Sequence, residues 1–237
     1  MGSVRPELWV VHLGEIDYLE ALALQERIRK ARQARLVPDV MLLLEHPRVY
    51  TRGRRSAPGE LSMGEAWYRA QGIDIVEVNR GGKVTYHGPG QLVGYPIVEV
   101  DDVVEYVRTL ERALVDALAP HGIQARARPQ DGPDYTGVWV GDRKIASIGV
   151  HVARGVTTHG FAVNVDNDLA PFGWVVACGL PDVTMTSMAA EGAEAGADLM
   201  RCFRRRAAFS VAEALGRRQR LVSRARLEQA LGEPVAV

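Results

Sequence analysis

Strand-like and helix-like patterns follow one another along this chain in an irregular order, and no long linker separates them. The clearest helix spans residues 102–119, where apolar residues share one face at Val103, Val107, Leu110, Leu114 and Ala117. Further helices are predicted at about 18–35, 62–71, 198–215 and 223–231. Strands are predicted at about 8–13, 40–45, 73–79, 123–127, 136–140, 144–151 and 156–165, with one more ending at Val98. Because regular βαβ alternation is missing, we predict an α+β fold with a mixed or antiparallel sheet flanked by helices. The single domain spans 1–237 and has an arginine-rich helical part from about residue 189.

Composition and charge exclude several classes of protein. The 237 residues are 47% hydrophobic and 24% charged, which is typical of a globular chain. We find neither an apolar run long enough for a transmembrane helix nor a signal peptide, so a cytoplasmic protein without membrane contact is expected. The 29 basic and 29 acidic residues balance, which gives no footprint for nucleic acid. Two cysteines and six scattered histidines predict neither a disulfide framework nor a metal site.

The densest glycine region, Arg80–Gly90, is the first candidate site. Its sequence RGGKVTYHGPG lacks the spacing of both a phosphate loop and a dinucleotide fingerprint. Paired glycines after a strand let a ligand lie against bare backbone, with His87 expected at the rim. A glycine-rich hairpin with an incidental histidine explains the same pattern equally well.

Cys178 is the second candidate. It follows an apolar run and precedes Gly179 and Pro181, and Asp182 or Thr184 could cap a short helix after it. A cysteine near a helix N-terminus has a lowered thiol pKa and acts as a nucleophile. The alternative is a buried structural cysteine. Cys202, on a predicted helix, is expected to be structural.

Lys144 is the third candidate, and it is one of only three lysines among 29 basic residues. Period-two alternation puts it on the same face as Ala146, Ile148 and Val150. Burial on that apolar face would lower the pKa of its ammonium group and suit it to proton exchange near neutral pH. The alternative is a lysine at a strand end that extends to water.

Five ordered motifs together carry a family resemblance that none carries alone. They are LLLEHPRVYTRG (42–53), RGGKVTYHGPGQLVGYP (80–96), GVWVGDRKIASIGVHV (137–152), THGFAVNV (158–165) and ACGLPDVTMTSM (177–188). This series closely resembles the lipoyl(octanoyl) transferase family, which moves an octanoyl group from acyl carrier protein to a lysine of a lipoyl domain. The resemblance covers about residues 18–188 and implies the fold of biotin and lipoate protein ligase catalytic domains.

The resemblance also implies roles for individual residues. Cys178 matches the acyl-accepting nucleophile and Lys144 the lysine paired with it. Three stretches match substrate-binding segments: Arg80, Gly81, Gly82, Lys83, Val84, Thr85, Tyr86 and His87; Ser147, Ile148 and Gly149; Gly160, Phe161 and Ala162. One departure is Ala177, because the family usually has proline before the nucleophile.

A thioester donor implies that the reaction needs no ATP, metal or other cofactor, because thioester exchange changes the free energy little. The implied partners are octanoyl-acyl carrier protein as donor and, as acceptors, lipoyl domains of 2-oxoacid dehydrogenase complexes and the glycine cleavage H protein. Both are acidic as classes, so we expect a basic docking surface at Arg52, Arg54 and Arg55 or at 201–206. A solvated helix face explains the second arginine group as well.

Three alternatives remain at this stage. An ATP-dependent lipoate or biotin ligase on the same fold would form an adenylate and would not require Cys178. A non-catalytic acyl-binding protein would keep the pocket without turnover. A thiol hydrolase would pass the acyl group to water.

Overall fold

The computed structural model describes residues 5–175, 183–193 and 197–232. Within these residues the α-helices are α1 (Tyr18–Gln33), α2 (Glu65–Ala70), α3 (Val103–Leu118), α4 (Ala197–Ala214) and α5 (Arg224–Ala230). The strands are β1 (Glu7–Glu15), β2 (Asp39–Glu45), β3 (Val49–Arg52), β4 (Asp74–Glu77), β5 (Thr85–His87), β6 (Gln91–Ile97), β7 (Arg126–Ala127), β8 (Gly137–Val140), β9 (Arg143–Ala153), β10 (Val156–Asn164) and β11 (Arg218–Leu221).

Eight of the described strands form one mixed sheet, and three form a small second sheet. The large sheet has the order β11-β1-β2-β6-β10-β9-β8-β7, and the small one has the order β4-β3-β5. The strand β1 pairs in parallel with β11 and β2, whereas β6, β10, β9 and β8 pair antiparallel. The predicted mixed sheet flanked by helices is therefore confirmed.

Helices cover both faces of the large sheet. On one face α3 and α4 bury a core that includes Leu110, Leu114 and Phe203, and on the other α1 packs Leu24 and Ile28 against the strands. Asp17 caps α1, since its carboxylate accepts hydrogen bonds from the backbone N–H groups of Leu19 and Glu20. Burial of these apolar faces is the main force that holds the helices on the sheet.

Three local predictions differ from the structure. Val103 and Val107 belong to the predicted buried face of α3, but Val103 is exposed and both line a cavity instead. The glycine-rich stretch is not a simple hairpin, because β5 lies in the small sheet and β6 in the large one. The arginine-rich tail contains the strand β11 between its two predicted helices, where no strand was predicted.

Candidate active site

One cavity of about 490 Å³ opens between α3, the glycine-rich stretch and the strands β9 and β10. Its rim consists of partly or fully exposed residues, among them Arg55, Lys83, Val103, Val104 and Pro133. Its inner wall consists of buried residues, among them Tyr18, His87, Tyr95, His159 and Phe161. The cavity thus runs from an accessible mouth to a buried interior, which is the form that a small-molecule site takes.

The glycine-rich stretch packs backbone against backbone on β9. The amide of Gly81 donates to the carbonyl oxygen of Val150 at 2.9 Å. A Cβ atom on Gly149 would lie 2.9 Å from the oxygen of Gly81, and one on Gly53 would lie 2.5 Å from the oxygen of Gly82. Side chains at these positions would push the stretch away from the strand, so glycine is needed for this close approach.

Arg80 fixes the same stretch to the small sheet. Its Nη2 donates to the carbonyl oxygen and to Oγ1 of Thr51, both at 2.7 Å, and its Nη1 donates to the oxygen of Gly81 at 3.0 Å. Arg80 as a residue is only 7% exposed, and bonds to a buried cation are among the stronger hydrogen bonds in proteins. Arg80 therefore holds the wall of the cavity together as well as lining it.

Lys144 lies in the interior of the protein. Its side chain is only 2% exposed, so the alternative of a lysine that extends to water is wrong. Nζ is 5.2 Å from the centre of the Trp139 ring, a distance at which a cation is attracted to the aromatic face. The lysine lines the cavity next to Ser147, Ile148 and Gly149.

Gly137 provides the space that the Lys144 side chain occupies. It has a φ of +135°, and a Cβ atom there would lie 2.8 Å from Cε of Lys144 and 2.3 Å from the oxygen of Ala146. The amide of Gly137 donates to the buried carboxylate of Glu111 at 2.9 Å, and that carboxylate also pairs with Arg108 at 2.6 Å. Gly137 was not predicted as a site residue, because the sequence pattern indicated only that it lies at the start of a strand.

The segment that follows Cys178 in the sequence pairs with Lys144. The amide of Lys144 donates to the oxygen of Thr184, and the amide of Thr186 donates to the oxygen of Lys144. The structure has no α-helix within residues 183–193, so the predicted short helix after Thr184 is wrong for that described range. Cys178 itself and the neighbouring Ala177 lie outside the described residues.

A chain of buried amides connects this segment to His87. Asn164 donates through Nδ2 to the oxygen of Thr186 at 2.9 Å and accepts through Oδ1 from Nε2 of Gln91 at 2.9 Å. Oε1 of Gln91 lies 2.7 Å from Nδ1 of His87 and can only accept, so Nδ1 carries the proton of the ring. Burial holds the pKa of His87 well below its usual value, and the ring is neutral. His87 is therefore part of the inner wall, and its predicted place at the rim is wrong.

Tyr18, Tyr95, His87 and His159 form an aromatic wall at the inner end of the cavity. The rings of Tyr18 and His87 stack with their centres 5.9 Å apart, and those of Tyr95 and His159 meet edge to face at 6.2 Å. Behind them, Nδ1 of His46 donates to the oxygen of Ile16, so its Nε2 accepts from the Tyr95 hydroxyl, both at 2.8 Å. Burial lowers the pKa of His46 to about 4 and of His159 to about 3, and raises that of Tyr18 to about 12. The wall is uncharged at neutral pH.

Most residues that the sequence singled out meet at this cavity. It is lined by Lys144 and by twelve of the predicted binding residues: Arg80, Gly81, Gly82, Lys83, Thr85, His87, Ser147, Ile148, Gly149, Gly160, Phe161 and Ala162. Val84 and Tyr86 do not line it, because they pack with Tyr50 and Tyr68 in a separate core cluster. Tyr18, Tyr95 and Val107 are lining residues that sequence reasoning missed. The sequence pattern predicted them only as the start of a helix, part of a strand and part of a helix face.

The described residues include no group of three or more histidine, cysteine, aspartate or glutamate side chains that could hold a metal ion. In the same residues no helix is long and apolar enough to cross a membrane.

Comparison with known proteins identifies the family. The model of the lipoyl protein ligase A/B catalytic domain matches residues 17–200. An octanoyltransferase of Solibacter usitatus is 50% identical over 190 residues, covering 78% of this chain and 84% of the relative. One from Mycobacterium ulcerans is 45% identical over 205 residues, covering 80% and 83%. This chain belongs to the lipoyl(octanoyl) transferase family. It is an acyltransferase, and the predictions of the family and of an enzyme are confirmed.

Solved structures confirm the predicted fold. Lipoate-protein ligase A, in a structure with bound ATP, superposes with a TM-score of 0.75 at 19% identity and covers 95% of this chain and 92% of its own. The bipartite lipoate protein ligase of Thermoplasma acidophilum gives a TM-score of 0.71 at 17% identity, covering 97% and 91%. At such identities the likeness establishes the architecture and leaves the chemistry to the residues of the site.

Proposed function

We propose that this protein carries out octanoyl transfer in lipoate biosynthesis, with Cys178 as the nucleophile and Lys144 as its proton-exchanging partner. The observation that carries the proposal is a buried lysine at the wall of an acyl-sized cavity, hydrogen-bonded through its backbone to Thr184 and Thr186. Cys178 precedes Thr184 by only six positions in the sequence. Curated relatives that match over three quarters of the chain are named octanoyltransferase, which supports the acyl group.

The chemistry proceeds in two balanced steps. The thiolate of Cys178 attacks the carbonyl carbon of the donor thioester, the bond to the donor sulfur breaks, and Lys144 returns the thiol proton to that sulfur. The amine of the acceptor lysine then attacks the cysteine thioester, an amide bond forms, and the bond to the Cys178 sulfur breaks. Lys144, left neutral by the first step, accepts the proton that the amine loses and returns it to the Cys178 sulfur. Backbone N–H groups at Ser147–Gly149 are candidates for stabilising the oxyanion, a contribution of about 3 kcal/mol per donor in studied enzymes.

The proposal includes a donor that is already activated, so that ATP has no role. A solved ligase of the same fold is named with bound ATP, which makes ATP dependence the main alternative. We further propose acyl carrier protein as the donor and lipoyl domains as acceptors, since both would bring their reacting groups to the mouth on flexible arms.

Charges at the surface bear on where such acidic partners dock. Arg52 and Arg55 are already paired with Glu77 and Asp134. Within the described residues, Arg54, Arg204, Arg205 and Arg206 form no ion pair. The tail group of Arg204, Arg205 and Arg206 therefore keeps more unpaired positive charge for an acidic partner than the group of Arg52, Arg54 and Arg55.

Intact mass spectrometry separates the proposal from its alternatives. The protein is mixed with octanoyl-acyl carrier protein without ATP, and apo-lipoyl domain is then added. The expected result is an octanoyl adduct on the enzyme that disappears as the lipoyl domain gains the same mass. Adduct formation only with ATP and free octanoate would favour the ligase, and loss of the adduct to water at an unchanged rate would favour the hydrolase. Cys202→Ser is the matched control, because Cys202 is exposed on α4 and its loss should leave the adduct in place.

A further inference from the structure

We infer that the Tyr18 ring sets the upper limit on the length of the acyl chain, by closing the inner end of the cavity. The inference rests on the proposed function, because that function fixes which end of the chain lies at Lys144. It concerns a residue outside the five motifs that carry the family resemblance.

The register of the sheet gives the length of the cavity. Six residues along β9 separate Lys144 from Val150, which pairs with His159 in the aromatic wall. At a rise of about 3.3 Å per residue this corresponds to about 20 Å of strand. Side chains that line the cavity stand at both ends of this span, so the open distance is shorter than the separation along the backbone. An extended eight-carbon chain, with bonds of about 1.5 Å, spans about 9 Å.

The proposed function gives the direction of the chain, because it puts the reacting carbonyl at Lys144. The mouth is formed by exposed residues such as Arg55 and Val104, whereas Tyr18 and His87 are almost completely buried. Two large partners can approach only from the mouth. The reacting carbonyl therefore stays toward Lys144, and the methyl end of the chain points toward the aromatic wall.

A second pocket lies directly behind Tyr18. It has a volume of about 400 Å³ and is bounded by the start of α1, the turn at Pro47 and strand β4. Val49, Ile75 and Val76 give it an apolar side, and the charged residues Asp17, Arg48, Arg69 and Asp74 also line it. Among the described residues, Tyr18 alone lines both this pocket and the cavity. This shared lining places Tyr18 at the partition between them.

The partition is rigid because its neighbours are hydrogen-bonded. Tyr18 stacks on His87, which Gln91 holds, and it hydrogen-bonds with Tyr95, whose hydroxyl is fixed by His46. A wall of leucine or methionine would rearrange around a longer chain, whereas these rings cannot move without breaking buried hydrogen bonds. Because the rings are neutral, none of the four brings a charge against the hydrocarbon end of the chain.

The test uses acyl carrier protein loaded with saturated chains of 6 to 14 carbons. The measured quantity is the ratio of kcat/KM for the twelve-carbon donor to that for the eight-carbon donor. In Tyr18→Ala the chain should pass into the second pocket. Burial of each added methylene is worth about fourfold in affinity, so the ratio should rise at least tenfold. Tyr18→Phe, which keeps the ring, should leave it unchanged.

Controls keep the outcome unambiguous. Tyr106→Ala removes a buried tyrosine that lines neither pocket, so it should lower stability without changing the ratio. Tyr18→Ala should fold, because alanine is a good helix former and Asp17 still caps α1. If it does not fold, Tyr18→Leu is the second variant, and it should give a smaller rise in the ratio of kcat/KM. An unchanged ratio in a folded Tyr18→Ala or Tyr18→Leu enzyme would overturn the inference, and so would equal loss of activity with every donor. Failure of the wild-type protein to form any adduct would instead refute the proposed function.

Discussion

Gly137 and Lys144 show how one residue without a side chain positions another with a long one. The lysine side chain passes through the space where a Cβ atom of residue 137 would be. The positive φ of Gly137 adds a backbone conformation that other residues rarely adopt. The position of the ammonium group thus depends on a glycine seven residues earlier in the chain.

Gly137→Ala should therefore disturb both stability and acylation. The new Cβ atom meets Cε of Lys144 and the oxygen of Ala146, and we expect a loss of about 2 kcal/mol in the free energy of unfolding together with slower adduct formation. Urea denaturation and the rate of octanoyl adduct formation are the measurements. Gly141→Ala is the control, because its Cβ atom would meet nothing within 4 Å although φ is +57°. It should cost some stability and no rate. Equal acylation rates in wild type and Gly137→Ala would contradict the account.

His46 makes stability depend on pH. Its folded-state pKa is about 4 because of burial, against 6.5 for the free side chain. The unfolded chain therefore binds more protons between these values, so the stabilisation is complete above pH 6.5 and is lost as the pH falls toward 4. Between pH 7 and pH 5 this single residue should account for a decrease of about 2 kcal/mol in the free energy of unfolding. Urea denaturation of wild type and His46→Gln at both pH values should show a shallower decrease in the variant. Parallel slopes would contradict this assignment.

At the scale of elements, Asn164 at the end of β10 joins three parts of the site. Its side chain bonds Gln91 and Thr186, and its backbone oxygen accepts from the amide of Met188. These bonds hold residues 184–188 against β9 next to Lys144. They are buried, so loss of one partner leaves another group without water or protein to bond.

Asn164→Asp changes the shape little and replaces the donor to Thr186 with an acceptor. We expect the free energy of unfolding to fall by about 1–3 kcal/mol and adduct formation to slow at least tenfold, because the segment beside Lys144 loses its anchor. Thr157→Val is the comparison. Thr157 lies on β10, as Asn164 does, and does not line the cavity. Its replacement removes buried hydrogen bonds to Pro96 and Val98. If Asn164→Asp lost stability and kept its rate, as Thr157→Val should, the anchoring role would be wrong.

The sequence predicted the elements whose apolar period is strong and missed those set by tertiary contacts. The strand β2 and the helices α1 and α3 follow their patterns closely. The strand β11 carries two arginines and a glutamine in an exposed tetrad, and it is a strand only because β1 offers it a parallel edge. Thr184 resembles a helix cap in sequence, but the backbone of Lys144 takes up its carbonyl group instead. The local sequence pattern does not indicate that β11 pairs with β1 or that Thr184 pairs with Lys144.

At the scale of the molecule, the cavity is assembled from parts of the chain far apart in sequence. Tyr18 comes from the first helix, Val107 from the third, and Lys144 and Phe161 from two paired strands. The motifs predicted most of the lining because each is a strand end or a turn that the fold brings to one place. Tyr18 and Val107 could not be predicted, because residues at a helix start or on a helix face gain this role only from packing. Cys178 lies outside the described residues, so its pairing with Lys144 stays a prediction.

The most direct test of the central claim is the rate at which an octanoyl adduct forms on Cys178 in a single turnover without ATP. Wild-type protein and Cys202→Ser should form it at the same rate, and Cys178→Ser should form no thioester. Lys144→Ala should be slower by a factor of about 10²–10⁴, the usual contribution of a positioned proton-transfer group. Adduct formation by Lys144→Ala at the wild-type rate, or full transfer to the lipoyl domain by Cys178→Ser, would contradict the account.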